Sequence, residues 1–304
     1  MTEAVGLRSI RRHISGKALV AVIFWGASFV VTRVALESWH PVGLVSARLW
    51  MGLTLIGTTI VLLRRPLLPD RRDWPACILL GLVLGVHLLL QAFGLLYTTA
   101  VRTGFIIGLI PVPIAIAAHL FGRQRLNATG WGGVALGAAG MLLVTTKSLD
   151  QFADARFGDA LQVISCFTWA FYTVYGSRAV SRNGALRVTF ASIAVAAVVC
   201  TIAGFKTGFT VRNPDAFAWL SAAFLGFICN GVAYFLWVKA VDEQGPTRVG
   251  AMIYFEPFIT LLVAVVTIHE RVAIQSLIGG VIIVAGVLLV ARGSRQAMGL
   301  PGES

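Results

Sequence analysis

The sequence predicts an all-α integral membrane protein with ten transmembrane helices, arranged as two five-helix repeats of opposite orientation. Of its 304 residues, 57% are hydrophobic and only 12% are charged, about half of the roughly 25% that is typical of a soluble domain. Ten apolar runs each approach the roughly 20 residues that a helix needs to cross a bilayer. The two halves of the chain also share residues at matching positions.

The ten apolar runs follow one another with short polar segments between them. The first five cover 18–36, 42–63, 75–97, 103–121 and 128–146, and the second five cover 160–180, 186–205, 216–240, 247–268 and 274–291. We therefore expect a cytoplasmic N-terminal segment 1–17, a first repeat 18–146, an extracytoplasmic connector 147–159, a second repeat 160–291 and a cytoplasmic tail 292–304.

The basic residues are distributed unevenly across the predicted membrane. If the N-terminus is cytoplasmic, 17 of the 25 Lys and Arg residues fall on that side and six on the other, while Arg33 and Arg48 lie inside spans. Lys and Arg gather in the cytoplasmic loops of membrane proteins. The net charge of +12 therefore reflects orientation rather than nucleic-acid binding, and both termini are predicted to be cytoplasmic.

A shift of 146 positions aligns the two halves. It places Gly104 on Gly250 and Arg125 on Arg271, and it aligns the prolines Pro111 and Pro257. Each repeat has an odd number of spans, so the second must enter the membrane from the opposite face. Inverted repeats of this kind place a binding site near the midplane, where the halves meet, and exchange between two packings opens it to either side.

Two charged residues and two matched prolines lie inside spans. Glu256 is near mid-membrane, where an acid costs about 2.5–3.5 kcal/mol, so it is a candidate for proton coupling or for binding a substrate amine. The alternative is a structural acid bonded to backbone freed by Pro257. Arg48 is either a fixed cation for a carboxylate or an interhelical hydrogen-bond donor. Pro111 and Pro257 each remove a backbone donor, so they predict hinges or tolerated kinks.

Polar and aromatic side chains recur at related positions of both halves. His87 and Gln91 are four residues apart and share a helix face, as do Asn230 and Tyr234. Trp25 and Ser28 have counterparts 144 positions later in Trp169 and Tyr172. Polar groups in spans face the protein interior, and aromatic walls suit amphiphilic ligands. We predict a substrate cavity lined by Trp25, Ser28, His87, Gln91, Trp169, Tyr172, Asn230, Tyr234 and Tyr254.

Signatures of catalysis are missing from the sequence. His269-Glu270 lacks the second histidine of a zinc-binding HExxH helix, and neither GxSxG nor a phosphate-binding glycine loop occurs. The four cysteines stand singly in or beside apolar runs, where packing is their usual role. We therefore expect no catalytic residue, no metal site and no cofactor, and transport that is passive or driven by a gradient.

Seven short motifs occur in order along the chain. They are Trp25–Phe29, Ala47–Leu49, Tyr97–Ala100, Leu109–Pro111, Trp169–Tyr172, Phe255–Pro257 and His269–Val272. Together they resemble the drug/metabolite transporter superfamily, EamA type, over nearly the whole chain. One departure is Gln124-Arg125, which stands where the family usually has Glu-Arg.

The resemblance implies an inner-membrane protein that commonly exports amino acids or related metabolites. It also implies a central cavity lined mainly by spans one, three, four, six, eight and nine. We expect a secondary transporter that works by alternating access, with a small-molecule substrate, protons as a candidate coupling ion and membrane lipid around it. Two alternatives stay open: import or exchange of nucleobases, sugars or drug-like cations, and a non-transporting membrane scaffold. The glycine strips pack helices within or between chains, so the oligomeric state is not predicted.

Overall fold

Helices occupy each of the ten predicted spans. The computed structural model describes residues 15–120, 127–146, 153–209, 211–212 and 215–297. In the first half the helices are α1 (Gly16–Ala35), α2 (Pro41–Leu62), α3 (Trp74–Tyr97), α4 (Ala100–Ile107), α5 (Pro111–Leu120) and α6 (Ala128–Thr146). In the second half they are α7 (Ala153–Asn183), α8 (Ala185–Thr207), α9 (Ala216–Ala223), α10 (Tyr234–Gln244), α11 (Pro246–Gly250), α12 (Glu256–Ile268) and α13 (Ile274–Ala297).

Length and hydropathy make six of these helical stretches able to cross a membrane, within the part of the chain that the structure describes. They are Gly16–Ala35, Pro41–Leu62, Arg71–Tyr97, Ala100–Ala117, Ala185–Thr207 and Ala216–Gln244. Three shorter apolar helices cover Ala128–Val144, Met252–Ile268 and Ile274–Val290. An all-helical chain with this many apolar spans is a multi-pass integral membrane protein.

Local sequence signals explain where several helices begin. Ser15 caps α1 by accepting a hydrogen bond from the Ala18 amide, and Thr99 caps α4 in the same way through the Arg102 amide. Asp215 caps α9 by accepting from the Ala218 amide at 2.7 Å. Such caps satisfy amide groups that have no partner inside the helix. α2 begins at Pro41, because a first-turn proline lacks a donor that would be unpaired anyway.

Contacts between the two halves come in matched sets. α1 packs against α12 and α10, while α7, its counterpart in the second half, packs against α5 and α3. α6 packs along its own counterpart α13, and α2 packs along α8. Each of these contacts therefore recurs with the halves exchanged. We call the face where α1 begins the proximal face and the face where it ends the distal face.

Glycines bring the backbones of α6 and α13 together. A Cβ atom placed on Gly133 would lie 2.4 Å from the Gly286 carbonyl oxygen, and one placed on Gly286 would lie 2.5 Å from the Gly137 amide nitrogen. Small residues permit this close packing of helices in membranes. The neighbouring Gly132 faces away, with no atom within 4 Å of its Cβ position.

Three predicted spans are interrupted in the structure. The run 103–121 is divided by a turn at Gly108–Ile110 between α4 and α5, and the run 247–268 by a 3-10 segment, Ala251–Phe255, between α11 and α12. The run 216–240 contains a π-helical segment, Phe224–Ala233, between α9 and α10. The sequence does not reveal such breaks, because all three runs are apolar throughout and hydropathy does not change where the helix is interrupted.

The predicted connector is shorter in the structure than in the sequence-based assignment. The sequence assigns 147–159 to it, whereas α7 begins at Ala153, because the charged residues that mark a loop here occupy the first turns of a helix. Residues 147–152 lie outside the described part of the chain, as do Gln124 and Arg125 of the motif that departs from the family pattern.

Candidate functional site

A small cavity lies at the centre of the bundle. Its volume is about 30 Å³, which is room for one or two water molecules. The wall combines charged, polar, aromatic and aliphatic side chains from both halves of the chain. It consists of Trp25, Ser28, Phe29, Arg48, His87, Leu88, Gln91, Ile107, Ile110, Trp169, Tyr234, Ile253 and Glu256.

Eight residues singled out from the sequence lie together in this wall. They are Trp25, Ser28, Arg48, His87, Gln91, Trp169, Tyr234 and Glu256. Those of the first half come from α1, α2 and α3, and those of the second half come from α7, α10 and α12. Tertiary packing therefore brings residues more than 200 positions apart to one site.

Arg48 reaches the cavity from the middle of α2. Its side chain is 5% exposed, and its Nε atom donates a hydrogen bond to Asn230 Oδ1 at 3.0 Å. The described residues form no salt bridge with its guanidinium group. A guanidinium has five N–H donors, so the described residues use only a small part of its hydrogen-bonding capacity.

His87 is held by α7. Its Nδ1 atom lies 3.1 Å from the Ser165 carbonyl oxygen and 3.1 Å from Thr168 Oγ1. A carbonyl oxygen only accepts, so Nδ1 carries the proton that forms this bond. The neutral imidazole then keeps Nε2 as a hydrogen-bond acceptor.

Glu256 begins α12, directly after the 3-10 segment. Its side chain is 3% exposed, and among the residues that the structure describes none forms a hydrogen bond or an ion pair with its carboxyl group. The helix is held close to α1, since Thr260 Oγ1 lies 2.9 Å from both the Gly26 and the Glu256 carbonyl oxygens. A Cβ on Gly26 would lie 2.7 Å from Ile259 Cβ. The backbone around Glu256 is thus fixed, while its carboxyl group is available to the cavity.

Aromatic rings close the proximal side of the cavity. Trp25 meets Trp169 edge to face with centroids 5.1 Å apart, and it also contacts Tyr234 at 5.3 Å and Trp237 at 5.2 Å. We call Trp25, Trp169, Tyr172, Tyr234 and Trp237 the aromatic floor. A second, smaller cavity lies beyond it, lined in part by Tyr172, Trp237 and Val241. The floor therefore separates the central cavity from the proximal face.

Three predicted cavity residues lie behind the wall. Tyr172 stacks on Trp169 at 5.3 Å, and its hydroxyl group bonds to Ser192 on α8 at 3.1 Å. Asn230 lies in the π-helical segment, where the number of residues per turn changes, so it contacts Arg48 while Tyr234 lines the cavity. Tyr254 is buried in the 3-10 segment, from which Ile253 reaches the wall instead.

The prolines expected to act as hinges begin new helices. Pro111 is the first residue of α5, and Pro257 is in the first turn of α12. Proline is tolerated there because its missing N–H would lack a partner in any case. The two breaks touch, since a Cβ on Gly108 would lie 2.8 Å from Pro257 Cγ.

Sequence reasoning did not identify the purely apolar part of the wall or Trp237. Phe29, Leu88, Ile107, Ile110 and Ile253 are indistinguishable in sequence from the many apolar residues that face lipid. The 146-position shift offered one signal, because it pairs Ile107 with Ile253, and both reach the cavity.

Polar contacts join α3 to α7 at both faces. At the proximal face Asp73 forms an ion pair with Arg182 and accepts a hydrogen bond from Asn183 Nδ2 at 2.7 Å. At the distal face Asp159 forms an ion pair with Arg102 and accepts from Thr98 Oγ1 at 2.6 Å. α3 and α7 are therefore joined near both ends, at the distal face with the help of Arg102 on α4.

α1 is joined to the α9–α10 stretch in a similar way. Lys17 Nζ lies 2.7 Å from Glu243 Oε1 at the proximal face. Trp39 Nε1, just beyond the end of α1, donates to the Ala218 carbonyl oxygen at 3.1 Å at the distal face. The cavity lies between these two joined pairs of helices.

The described residues offer no metal site. No group of three or more His, Cys, Asp or Glu side chains is placed there to bind an ion. Cys77, Cys166, Cys200 and Cys229 are buried free thiols.

Fold and site together define a multi-pass membrane protein with a central cavity whose wall combines charged, aromatic and aliphatic side chains. The profile of the EamA-like transporter family matches residues 16–146 and again residues 156–292. The chain belongs to this family, within the drug/metabolite transporter superfamily that the sequence motifs indicated. It is a membrane transporter rather than an enzyme.

Named relatives and a solved structure agree with this assignment. An "Uncharacterized transporter" of Archaeoglobus fulgidus is 28% identical over 91% of this chain and 96% of its own length. "Uncharacterized inner membrane transporter YedA" of Escherichia coli K12 is 27% identical over 90% of this chain and 89% of its own. A solved structure described only as "Crystal structure of protein" superposes with a TM-score of 0.72, at 18% identity, over 93% of this chain and 97% of its own. The last comparison supports the fold alone.

Proposed function

We propose that the protein is a secondary transporter of the inner (cytoplasmic) membrane that exports amino acids or related amphiphilic metabolites by alternating access. The observation that carries this proposal is the central cavity, in which Arg48, His87 and Glu256 share one wall with the rings of Trp25 and Trp169. Charged groups buried at mid-membrane are expensive and mark substrate or ion pathways. Ligands with both a polar and an apolar part are complementary to this wall.

The proposed architecture is ten transmembrane helices in a 5+5 inverted repeat with both termini in the cytoplasm. The two separate family matches and the matched contacts between the halves support two related units. The odd number of spans in each unit and the excess of basic residues on one side support inversion and orientation. The export direction rests on the family resemblance.

The proposed movement is a relative rotation of the two joined helix pairs. α1 and α10 carry Trp25 and Tyr234, whereas α3 and α7 carry His87 and Trp169. Rotation of one pair against the other separates the rings of the aromatic floor and opens the cavity to the proximal face. The opposite rotation opens it to the distal face. Rocking of this type around a fixed site is common among transporters that contain repeats.

The cavity as it stands, at about 30 Å³, is too small for a metabolite. Binding therefore requires that the wall expand, and the broken spans supply places for this change. Gly108 and Pro257 meet where both spans are interrupted, so a shift of α12 is passed to α4 directly. We propose Pro111 and Pro257 as the hinges.

Glu256 is the proposed coupling residue, with protons as the coupling ion. Its carboxyl group is buried and forms no ion pair with the described residues, so the neutral acid is the less costly state in this conformation. When the cavity opens to water or a substrate binds, the charged carboxylate becomes less costly relative to the neutral acid. The site thus turns outward with the substrate bound and returns with Glu256 protonated, so that a proton enters for each substrate that leaves.

Counterflow in proteoliposomes tests the proposed function. Vesicles loaded with each unlabelled compound are diluted into its labelled form, using a panel of amino acids, nucleobases, sugars and organic cations. Exchange reports recognition without knowledge of the driving ion. Amino-acid exchange above that of protein-free vesicles is the expected result. Exchange of nucleobases, sugars or cations instead, or none with folded protein, would overturn the proposal.

A further inference from the structure

The side chain of Arg48 lies in the cavity wall, and its position leaves a polar group of a neighbouring residue without a hydrogen bond. Its Nε atom bonds to Asn230 Oδ1, and this orientation leaves Asn230 Nδ2 buried without a hydrogen-bond partner among the described residues. An unsatisfied buried donor is unfavourable. The Asn230 side-chain amide directs its oxygen, not its nitrogen, toward Arg48 because an arginine side chain can only donate hydrogen bonds. Asn230 therefore acts to hold Arg48 rather than to complete its own hydrogen bonds.

Two glycines allow this arrangement. A Cβ on Gly52 would lie 2.9 Å from Asn230 Cβ, and one on Gly226 would lie 2.5 Å from Met51 Cβ. α2 and the π-helical segment thus approach at backbone distance on both sides of the Arg48–Asn230 hydrogen bond. π-Helical turns are rare and occur frequently at functional sites.

The rest of the guanidinium group has no partner among the described residues. Asn230 supplies the one hydrogen bond that the described residues make to this side chain, although Arg48 is 5% exposed and lines the cavity. If Arg48 only tied α2 to the π-helical segment, a neutral donor would make the same bond without burying a charge. The unused donors therefore indicate a ligand that carries a negative charge.

We propose that Arg48, positioned by Asn230, is the subsite for the carboxylate group of the transported metabolite; this inference rests on the proposed function. The planar guanidinium fork matches a carboxylate with two parallel hydrogen bonds. Arg48 is the one Lys or Arg in the described cavity wall, so a phosphate dianion would leave a charge uncompensated. A carboxylate at Arg48 places the remainder of the ligand toward the aromatic floor, where Trp25 and Trp169 contact its apolar part.

The test compares ligands that differ only in the carboxylate. Counterflow is measured with the twenty amino acids, their primary amides and the corresponding decarboxylated amines. Wild-type protein is expected to exchange one or more acids at least about tenfold better than the matching amide, the difference that a charge-assisted hydrogen bond makes. Equal exchange of acid and amide overturns the subsite while it leaves the transporter proposal standing. Absence of exchange for every compound overturns the proposed function and the subsite with it.

Variants then test whether Arg48 causes the preference for the acid over the amide. Arg48→Gln is expected to reduce the preference for acid over amide to near unity, whereas Arg33→Gln, which removes the same charge outside the cavity wall, retains it. Size-exclusion profiles and unfolding temperatures in detergent confirm that the variants are folded. A folded Arg48→Gln protein that keeps the wild-type preference overturns the assignment. If that variant does not fold, Arg48→Lys takes its place, and the selectivity of the wild type still decides whether a carboxylate is recognised.

Discussion

The indole rings of Trp25 and Trp169 meet edge to face at the centre of the molecule, with centroids 5.1 Å apart and planes at 87°. The two residues are counterparts in the two repeats, separated by 144 positions. Equivalent positions of the two repeats thus supply the two rings of one contact. This contact closes the cavity on the proximal side, so its separation is the central event of the proposed cycle.

Replacing Trp169 tests the aromatic floor. The ring packs against four other Trp or Tyr rings, and each such contact contributes about 0.5–1.5 kcal/mol beyond buried area. Trp169→Ala is expected to raise the KM of counterflow at least about tenfold, and Trp169→Phe, which keeps an aromatic face, only a few-fold. Trp131→Ala, on the outside of α6 with its residue 45% exposed, is the control. Equal KM values for Trp169→Ala and wild type would contradict a role in binding.

Glu256→Gln separates coupling from recognition. Glutamine has a similar size but does not take up and release a proton, so transport driven by an imposed pH gradient is expected to fall to the level of empty vesicles. Counterflow, which needs no driving ion, should persist. Uptake of the labelled counterflow ligand is followed in vesicles with and without the gradient. Unchanged gradient-driven transport would show that Glu256 is not the coupling residue.

The prolines at the interrupted spans are expected to control the rate of exchange. Pro257→Ala restores a backbone N–H group and lets α12 extend across the 3-10 segment. A stiffer span slows opening but leaves the cavity wall intact, so the maximal counterflow rate should fall while KM stays within about twofold, a change of only a few tenths of a kcal/mol. Pro111→Ala tests the matching position, and Pro113→Ala, two residues further into α5, is the control. A change in KM alone would argue for a binding role instead.

Adjacent glycines of α6 should respond in opposite ways to the same substitution. In Gly133→Ala the new methyl group meets the Gly286 backbone at 2.4 Å, so α6 and α13 must move apart and the unfolding temperature in detergent falls. In Gly132→Ala the methyl group meets no atom within 4 Å, and helix propensity favours alanine by roughly 0.5–1 kcal/mol. A similar unfolding temperature for both variants would contradict the close packing of the two helices.

The ion pairs at the proximal face differ in burial and should differ in their effect on stability. The Asp73 side chain is 3% exposed, whereas Lys17 and Glu243 are 40% and 38% exposed. Arg182→Ala leaves a buried carboxylate without its ion pair and is expected to lower the unfolding temperature clearly. Lys17→Ala should change stability by about 0–1 kcal/mol, as for other surface pairs. Thermal unfolding of both variants in the same detergent provides the comparison.

Class, family and much of the site follow from the sequence because their signals are local. A charge is costly in lipid, so Arg48 and Glu256 are predicted to face the protein interior however the helices pack. Helical spacing puts His87 and Gln91 on one face. Both pairs reach the cavity wall. Asn230 shows the limit of this approach, since its spacing from Tyr234 assumed a regular α-helix and the π-helical segment moved it behind Arg48.

The sequence by itself determined that the chain lies in a membrane, that it consists of two related halves and that its buried charges and rings belong inside. These properties depend on composition and on spacing along one helix. Only the tertiary structure decided which rings form the floor, that Arg48 is held by a residue 182 positions away and that two of the three interrupted spans touch at Gly108 and Pro257. Such contacts depend on the close approach of helix backbones at glycines and on local breaks in the helices. Neither feature produces a periodic pattern in an apolar sequence, so neither could be predicted from it.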